Sequence, residues 1–239
     1  SRLEYENSQN RYPTLEPGLT LYEDCEKYQG NAWKSTITEE LGSILKHIER
    51  WPDHDTGSRA AFIMAAHWFH TCLTSHRKCG LSEAVPKLPT RVIDVGNGFD
   101  EPIRLIASQG THGLYCTLSY RWYDSNTFKT TRENIDELQQ GIPEHELHQT
   151  IKEAIATTRT LGLRYLWVDA LCIIQNDRDD WGREAATMSA VYENSMLTIA
   201  AIDKPTADLG MFRKRTYAPR PYNRDFPKDS ATGYFGYSH

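Results

Sequence analysis

The run RYLWVDALCIIQNDRDDW at residues 164–181 decides how this chain is built. Within it, YLWVDALCII at 165–174 is almost continuously apolar, the pattern of a strand buried on both faces in a parallel sheet. Asp169 interrupts that run, and a carboxylate among apolar neighbours needs hydrogen-bond partners or a chemical task. Gln175, Asn176 and Asp177 then lead out of it, and a helix is expected from about Arg178 to Glu193. Asp177 is placed to cap that helix, and Asp179 and Asp180 favour its positive N-terminus. MLTIAAI at 196–202 follows as a second buried strand.

Upstream, LYCTLSYRW at 114–122 is a strand candidate, with Leu114, Cys116, Leu118 and Tyr120 on one side. Before it, RVIDV at 91–95 and IRLI at 103–106 flank a turn-rich stretch and suggest a hairpin-like pair. Helices are expected from about Arg132 to Gln140 and from about Thr150 to Leu161, ending at Gly141 and Gly162. Two more are expected near the N-terminus, from about Thr38 to Trp51 and from about Ser58 to Cys79, after an irregular arm at 1–35. The order strand, helices, strand, helix, strand predicts an α/β fold: a central, largely parallel sheet flanked by helices, with a helical N-terminal extension.

Length and composition agree with one large domain, or a compact domain with a helical extension: 239 residues, 39% hydrophobic and 25% charged. With 27 basic and 32 acidic side chains the formal charge is −5, which lacks the basic stripe of a nucleic-acid binder. No run approaches the ~18 apolar residues of a membrane helix. Five cysteines at irregular spacing fit reduced thiols, so a cytoplasmic setting is expected. The chain starts at Ser1 with no secretory pattern and reads as a trimmed piece of an intracellular protein.

In an open parallel sheet, ligands gather beyond the carboxyl ends of the strands. Ser119, Tyr120, Arg121 and Trp122 close one strand there, while Asp169, Gln175 and Asp177 belong to the next. Together they are the expected lining of one binding cleft. Glu184 lies one turn after Trp181, at the border of the apolar stripe formed by Trp181, Ala185, Met188 and Tyr192. It is the sharpest catalytic candidate, with Asp169 second; the competing reading makes Glu184 a solvated flank and Asp169 part of a structural network.

Other constellations are weaker. Cys72, His76 and Cys79 share a helix face, but paired Cys-x-x-Cys spacing is absent, and core packing explains them, so no metal is assigned. Cys172 lies inside an apolar run, where a thiol is inert. No Gly-rich phosphate loop is present.

Three blocks carry a family resemblance: LSYRW at 118–122, led into by PTRVIDV at 89–95; YLWVDALCIIQND at 165–177; and DDWGREAATMSAVYENSMLTIAA at 179–201. In this order they resemble the HET domain, the fungal heterokaryon-incompatibility module. The likeness spans about 89–212, leaving a helical region at 1–88 and an irregular segment at 213–239. Two positions depart from the family pattern: Tyr123, where Gly is usual, and Ser195, where Ala is frequent. The resemblance implies a role in non-self recognition and programmed cell death, with self-association and other cell-death or recognition proteins as partners.

HET domains are also similar, distantly, to TIR domains, some of which cleave NAD with a helix-borne glutamate in oligomers. That likeness implies a TIR-like or flavodoxin-like sheet, no cofactor, and NAD as substrate. It would put Glu184 at the nicotinamide ribose, with Arg121 and residues near Asp169 holding phosphate or ribose. The alternative is a non-enzymatic interaction module.

Overall fold

The computed structural model describes residues 55–75, 85–96, 101–122, 128–202 and 210–214. Five short strands form one sheet: β1 (Arg91–Asp94), β2 (Arg104–Ala107), β3 (Tyr115–Ser119), β4 (Tyr165–Trp167) and β5 (Leu197–Ala200). Their order is β2-β1-β4-β3-β5. β3 runs parallel to β4 and to β5, whereas β1 is antiparallel to β2 and to β4. Four strands therefore point the same way and β1 alone is reversed. The expected α/β architecture is present, as is the hairpin-like pairing, with Arg91 opposite Ala107 and Asp94 opposite Arg104.

The helices are α1 (Arg59–Ser75), α2 (Ile135–Gln140), α3 (Gln149–Thr160), α4 (Asp169–Cys172) and α5 (Arg178–Glu193). Neighbouring residues of a strand point to opposite faces, and β3 shows which helix covers which. Tyr115 donates from its hydroxyl to the Val191 carbonyl of α5 (2.7 Å), while Cys116 lies beside Thr158 of α3. The sheet is thus sandwiched between α3 and α5. Ile151, Ala154 and Ile155 of α3 are buried, as their helical spacing requires. Each large side chain buried this way contributes about 2 kcal/mol.

Two expectations from the sequence need correction. The apolar run 165–174 is not one long strand: β4 stops at Trp167, and residues 169–172 form the short helix α4. Thr130 captures this turn, donating its amide to Ala170 O (3.0 Å) and its hydroxyl to Leu171 O (2.6 Å). Ala170, Leu171 and Cys172 are all buried, and a helical turn enclosed on every side has the same apolar signature as a central strand. The second correction concerns 196–202. β5 is an edge strand, and within it only Ile199 is buried. A strand with one neighbour covers less of itself than its composition suggests.

Other boundaries shift slightly. The helix expected from Arg132 begins at Ile135, because the Asn134 side chain accepts the Thr131 amide (2.7 Å) and holds that stretch as a turn. The arm at 1–35 and the helix expected at 38–51 lie outside the described residues, as do His76 and Cys79 and all of the tail beyond Lys214.

Residues 210–214 strap α1 to the core. Glu153 of α3, 4% exposed, accepts the backbone amides of Met211 and Phe212. The Phe212 ring then meets Phe62 edge-on at 5.3 Å, and Thr56 and Arg213 exchange hydrogen bonds. Gly210 makes the approach feasible: it takes φ +69°, and a Cβ there would collide with the Glu153 carboxylate.

Candidate functional site

The parallel strands β3, β4 and β5 end at one edge, and Asp169 stands there at the start of α4. Its Oδ1 accepts the Ala170 amide (2.7 Å) and its Oδ2 accepts the Trp122 indole N–H (2.9 Å). Tyr120 sits against the same carboxylate; its hydroxyl is buried without a well-formed hydrogen bond but is close enough to help hold the negative charge. Burial nevertheless dominates and pushes the Asp169 carboxyl above its ordinary 3.8, with the Trp122, Ala170 and Tyr120 donors only partly opposing it. The Tyr120 phenol is pushed up as well, first by burial and then by the Asp169 charge.

The other residues expected at this edge divide into rim and scaffold. Ser119 and Arg121 are exposed at the rim. Gln175 donates its amide to the carbonyls of Asp169 (2.9 Å) and Ile173 (3.0 Å), closing the loop after α4. Asp177 caps α5 by accepting the amides of Asp179 (3.0 Å) and Asp180 (3.1 Å), and it pairs with Arg132 at 2.9 Å.

A second cluster lies beneath α5. Arg91, at the start of β1, donates to Asp180 through its guanidinium and to Cys172 O through Nε (2.7 Å). Asp180, 3% exposed, also accepts the Ile174 amide (2.9 Å) and Arg183 (3.3 Å). Burial opposes its charge, yet Arg91 and the Ile174 amide outweigh burial and hold its pKa below 3.8. Glu184 turns inward to the same arginine: it is 5% exposed, with Oε1 3.8 Å from the guanidinium.

Cys172 connects the two clusters. Its thiol is pushed up to about 12 by burial and feels Arg91, Asp169 and Glu184 electrostatically. Asp169 and Glu184 both influence this buried, inert thiol. Tyr192 of α5 donates to Leu118 O (3.3 Å) and meets the Trp167 ring edge-on at 5.7 Å.

Sequence reasoning missed Arg91 altogether and assigned Asp180 only to the helix terminus. The signal was available for Arg91: a charged residue opening a buried strand requires a partner. Nothing in the sequence indicated which carboxylates would supply it. Among the described residues, no group of three or more His, Cys, Asp or Glu side chains is arranged to hold a metal ion. Nor is any described helix long and apolar enough to cross a membrane.

In comparison with known proteins, the family described as heterokaryon incompatibility protein (HET) matches residues 115–233, beginning at the first residue of β3. No curated protein and no solved structure matches.

Proposed function

This chain is a HET-domain protein, which ties it to heterokaryon incompatibility and the cell death that accompanies it, and on that premise we propose that it is a cytoplasmic effector or signalling domain of fungal non-self recognition that hydrolyses NAD after self-association. The observation that carries the enzymatic part is the buried Glu184 on α5, which faces Arg91 at the start of β1. A carboxylate shielded from bulk water stabilises the developing positive charge on a ribose as nicotinamide departs, and Arg91 would serve to hold that carboxylate in position. In this reading Asp169 assists, and Tyr120, Trp122, Ser119 and Arg121 line the approach, while Gln175 and Asp177 keep the loop and the helix start in place. Trp181, 54% exposed at the start of α5, supplies an apolar contact for self-association.

The test is nicotinamide release from NAD by concentrated protein, with and without a crowding agent. Glu184→Gln should lower turnover by about 100-fold or more while the protein stays folded. Absence of turnover in every oligomeric state would sink the enzymatic reading.

A second reading is favoured by the ion pair itself. Arg91 ties Asp180 and Glu184 to β1, so Glu184 also serves as part of a structural lock in a non-enzymatic interaction module. Toxicity in fungal cells would then track self-association and leave cellular NAD unchanged. A folded Glu184→Ala variant with full toxicity would decide for this module.

A further inference from the structure

A cleft of about 400 Å³ lies between the C-terminal half of α5 and the paired segments 87–90 and 108–110, with Tyr115 of β3 also in its lining. That size suits a small organic molecule. Among the described residues its lining holds a single charged side chain, Lys87, and no acidic residue. Lys87 is exposed and, among the described residues, forms no ion pair. The cleft thus presents one uncompensated positive charge.

The turn that carries one wall is built at a cost. Gln109 has φ 50°, the only positive φ on a non-glycine among the described residues, a backbone state that residues with a side chain reach at a cost. The turn closes through the Thr111 amide on Ser108 O (2.9 Å), a geometry that Asn or Gly would adopt more easily. Gln109 nevertheless stands there, in the lining of the cleft. Gly110 follows with φ +82°, and a Cβ on it would come within 3.3 Å of Lys87 Cε. The bare backbone leaves room for the lysine to lie along the wall.

The α5 wall has the opposite character. The Thr187 hydroxyl donates to Glu184 O (3.1 Å), and Asn194 donates from its amide to Ala190 O (2.8 Å). With its hydrogen engaged, Thr187 Oγ1 is left as an acceptor, and Asn194 keeps Oδ1 as an acceptor beside its second amide hydrogen. Ala190 and Val191 lie between them as an apolar strip. One wall therefore offers a cation and an amide donor, and the other offers acceptors spaced around an apolar middle.

We propose that this cleft is a binding site for a small hydroxylated organic anion of sugar-phosphate size. The anionic end meets Lys87 and Gln109, ring hydroxyls donate to Thr187 and Asn194, and the C–H face of the ring covers Ala190 and Val191. Neither Glu184 nor Arg91 is in the lining of this cleft, and a negative NAD assay leaves the proposal standing.

Titrating the full 239-residue chain with ribose 5-phosphate, ribose and inorganic phosphate tests it, by calorimetry and by amide shifts at Gln109, Thr187 and Asn194. Ribose 5-phosphate should bind saturably, with ribose and phosphate each weaker by about tenfold or more. Lys87→Gln should weaken binding about tenfold. Ala190→Trp, at an exposed helix position, should abolish binding and leave the thermal transition in place. Lack of saturable ribose 5-phosphate binding would overturn the proposal, as would binding unchanged in both variants. Ribose or phosphate binding as tightly as ribose 5-phosphate would overturn it too, the latter marking an adventitious anion only.

Discussion

Asp94 and Asp169 are the same residue type at opposite ends of the sheet, Asp94 closing β1 and Asp169 following β4, and the protein treats them in opposite ways. Asp94 accepts Arg164 through both oxygens (2.8 and 2.9 Å), Arg104 (3.2 Å) and the Gly96 amide (3.1 Å). Burial works against its charge, but these donors outweigh burial and its pKa lies below 3.8. Asp169 has aromatic and backbone donors only, with no cation bonded to it, and its pKa lies above 3.8. Burial by itself does not decide the ionisation of a carboxylate; the charge of its partners does. A fully compensated carboxylate is structural. An under-compensated one, at the edge where ligands gather, is where chemistry is expected.

The sharpest way to break the comparison is Asp94→Ala. It strands Arg164 and Arg104 without their acceptor and should cost about 3 kcal/mol in urea unfolding at neutral pH. A loss below about 1 kcal/mol would mean that Asp94 is not the anchor described. Its pH dependence follows from the lowered pKa: the contribution is complete above 3.8 and disappears as pH falls through the folded value. Wild type and Asp94→Ala should therefore converge in stability toward strong acid.

Next comes Arg164→Gln. This removes the two shortest side-chain contacts of Asp94, but the Arg164 side chain is 42% exposed and solvent takes over part of the task. Unfolding should show a loss of about 1.5 kcal/mol. Arg104, at 3.2 Å and 50% exposed, should matter less.

At the other end, Trp122→Phe deletes the indole donor to Asp169 and keeps most of the ring. Stability should fall by about 1 kcal/mol, and the Asp169 carboxyl, followed by carbon-13 NMR, should titrate at a still higher pH. A titration that does not move would show that Trp122 leaves the carboxylate's charge unsupported.

The smallest effect is expected for Asp169→Asn. For a carboxyl with a raised folded pKa the sign reverses: its contribution is greatest below 3.8 and is lost as pH rises through the folded value. Asparagine has no charge to desolvate, so stability at neutral pH should change by no more than about 0.5 kcal/mol in either direction. A large loss would place Asp169 with Asp94 among the structural carboxylates.

Much of this arrangement was legible in the chain. α5 begins and ends where its pattern indicated, from Arg178 to Glu193, because Asp177 caps it and side chains such as Glu184 and Val191 turn inward. The β1–β2 pair was equally clear, since a turn-rich stretch between two short apolar runs has few other solutions. The run after Trp167 misled because apolar composition reports burial and not geometry. Thr130 and Arg91, both distant in sequence, hold the helical turn there through the carbonyls of Ala170, Leu171 and Cys172.

The same division separates the family from its site. Local pattern determined the strands, the helices and the HET signature, since periodicity and capping act within a few residues of the chain. The tertiary structure decided which charges meet. Arg91 reaches Asp180 across 89 positions, Trp122 reaches Asp169 across 47, and Asp94 reaches Arg164 across 70. Electrostatic compensation depends on distance in space, so the sequence could name the carboxylates but not divide them into anchors and candidates for chemistry.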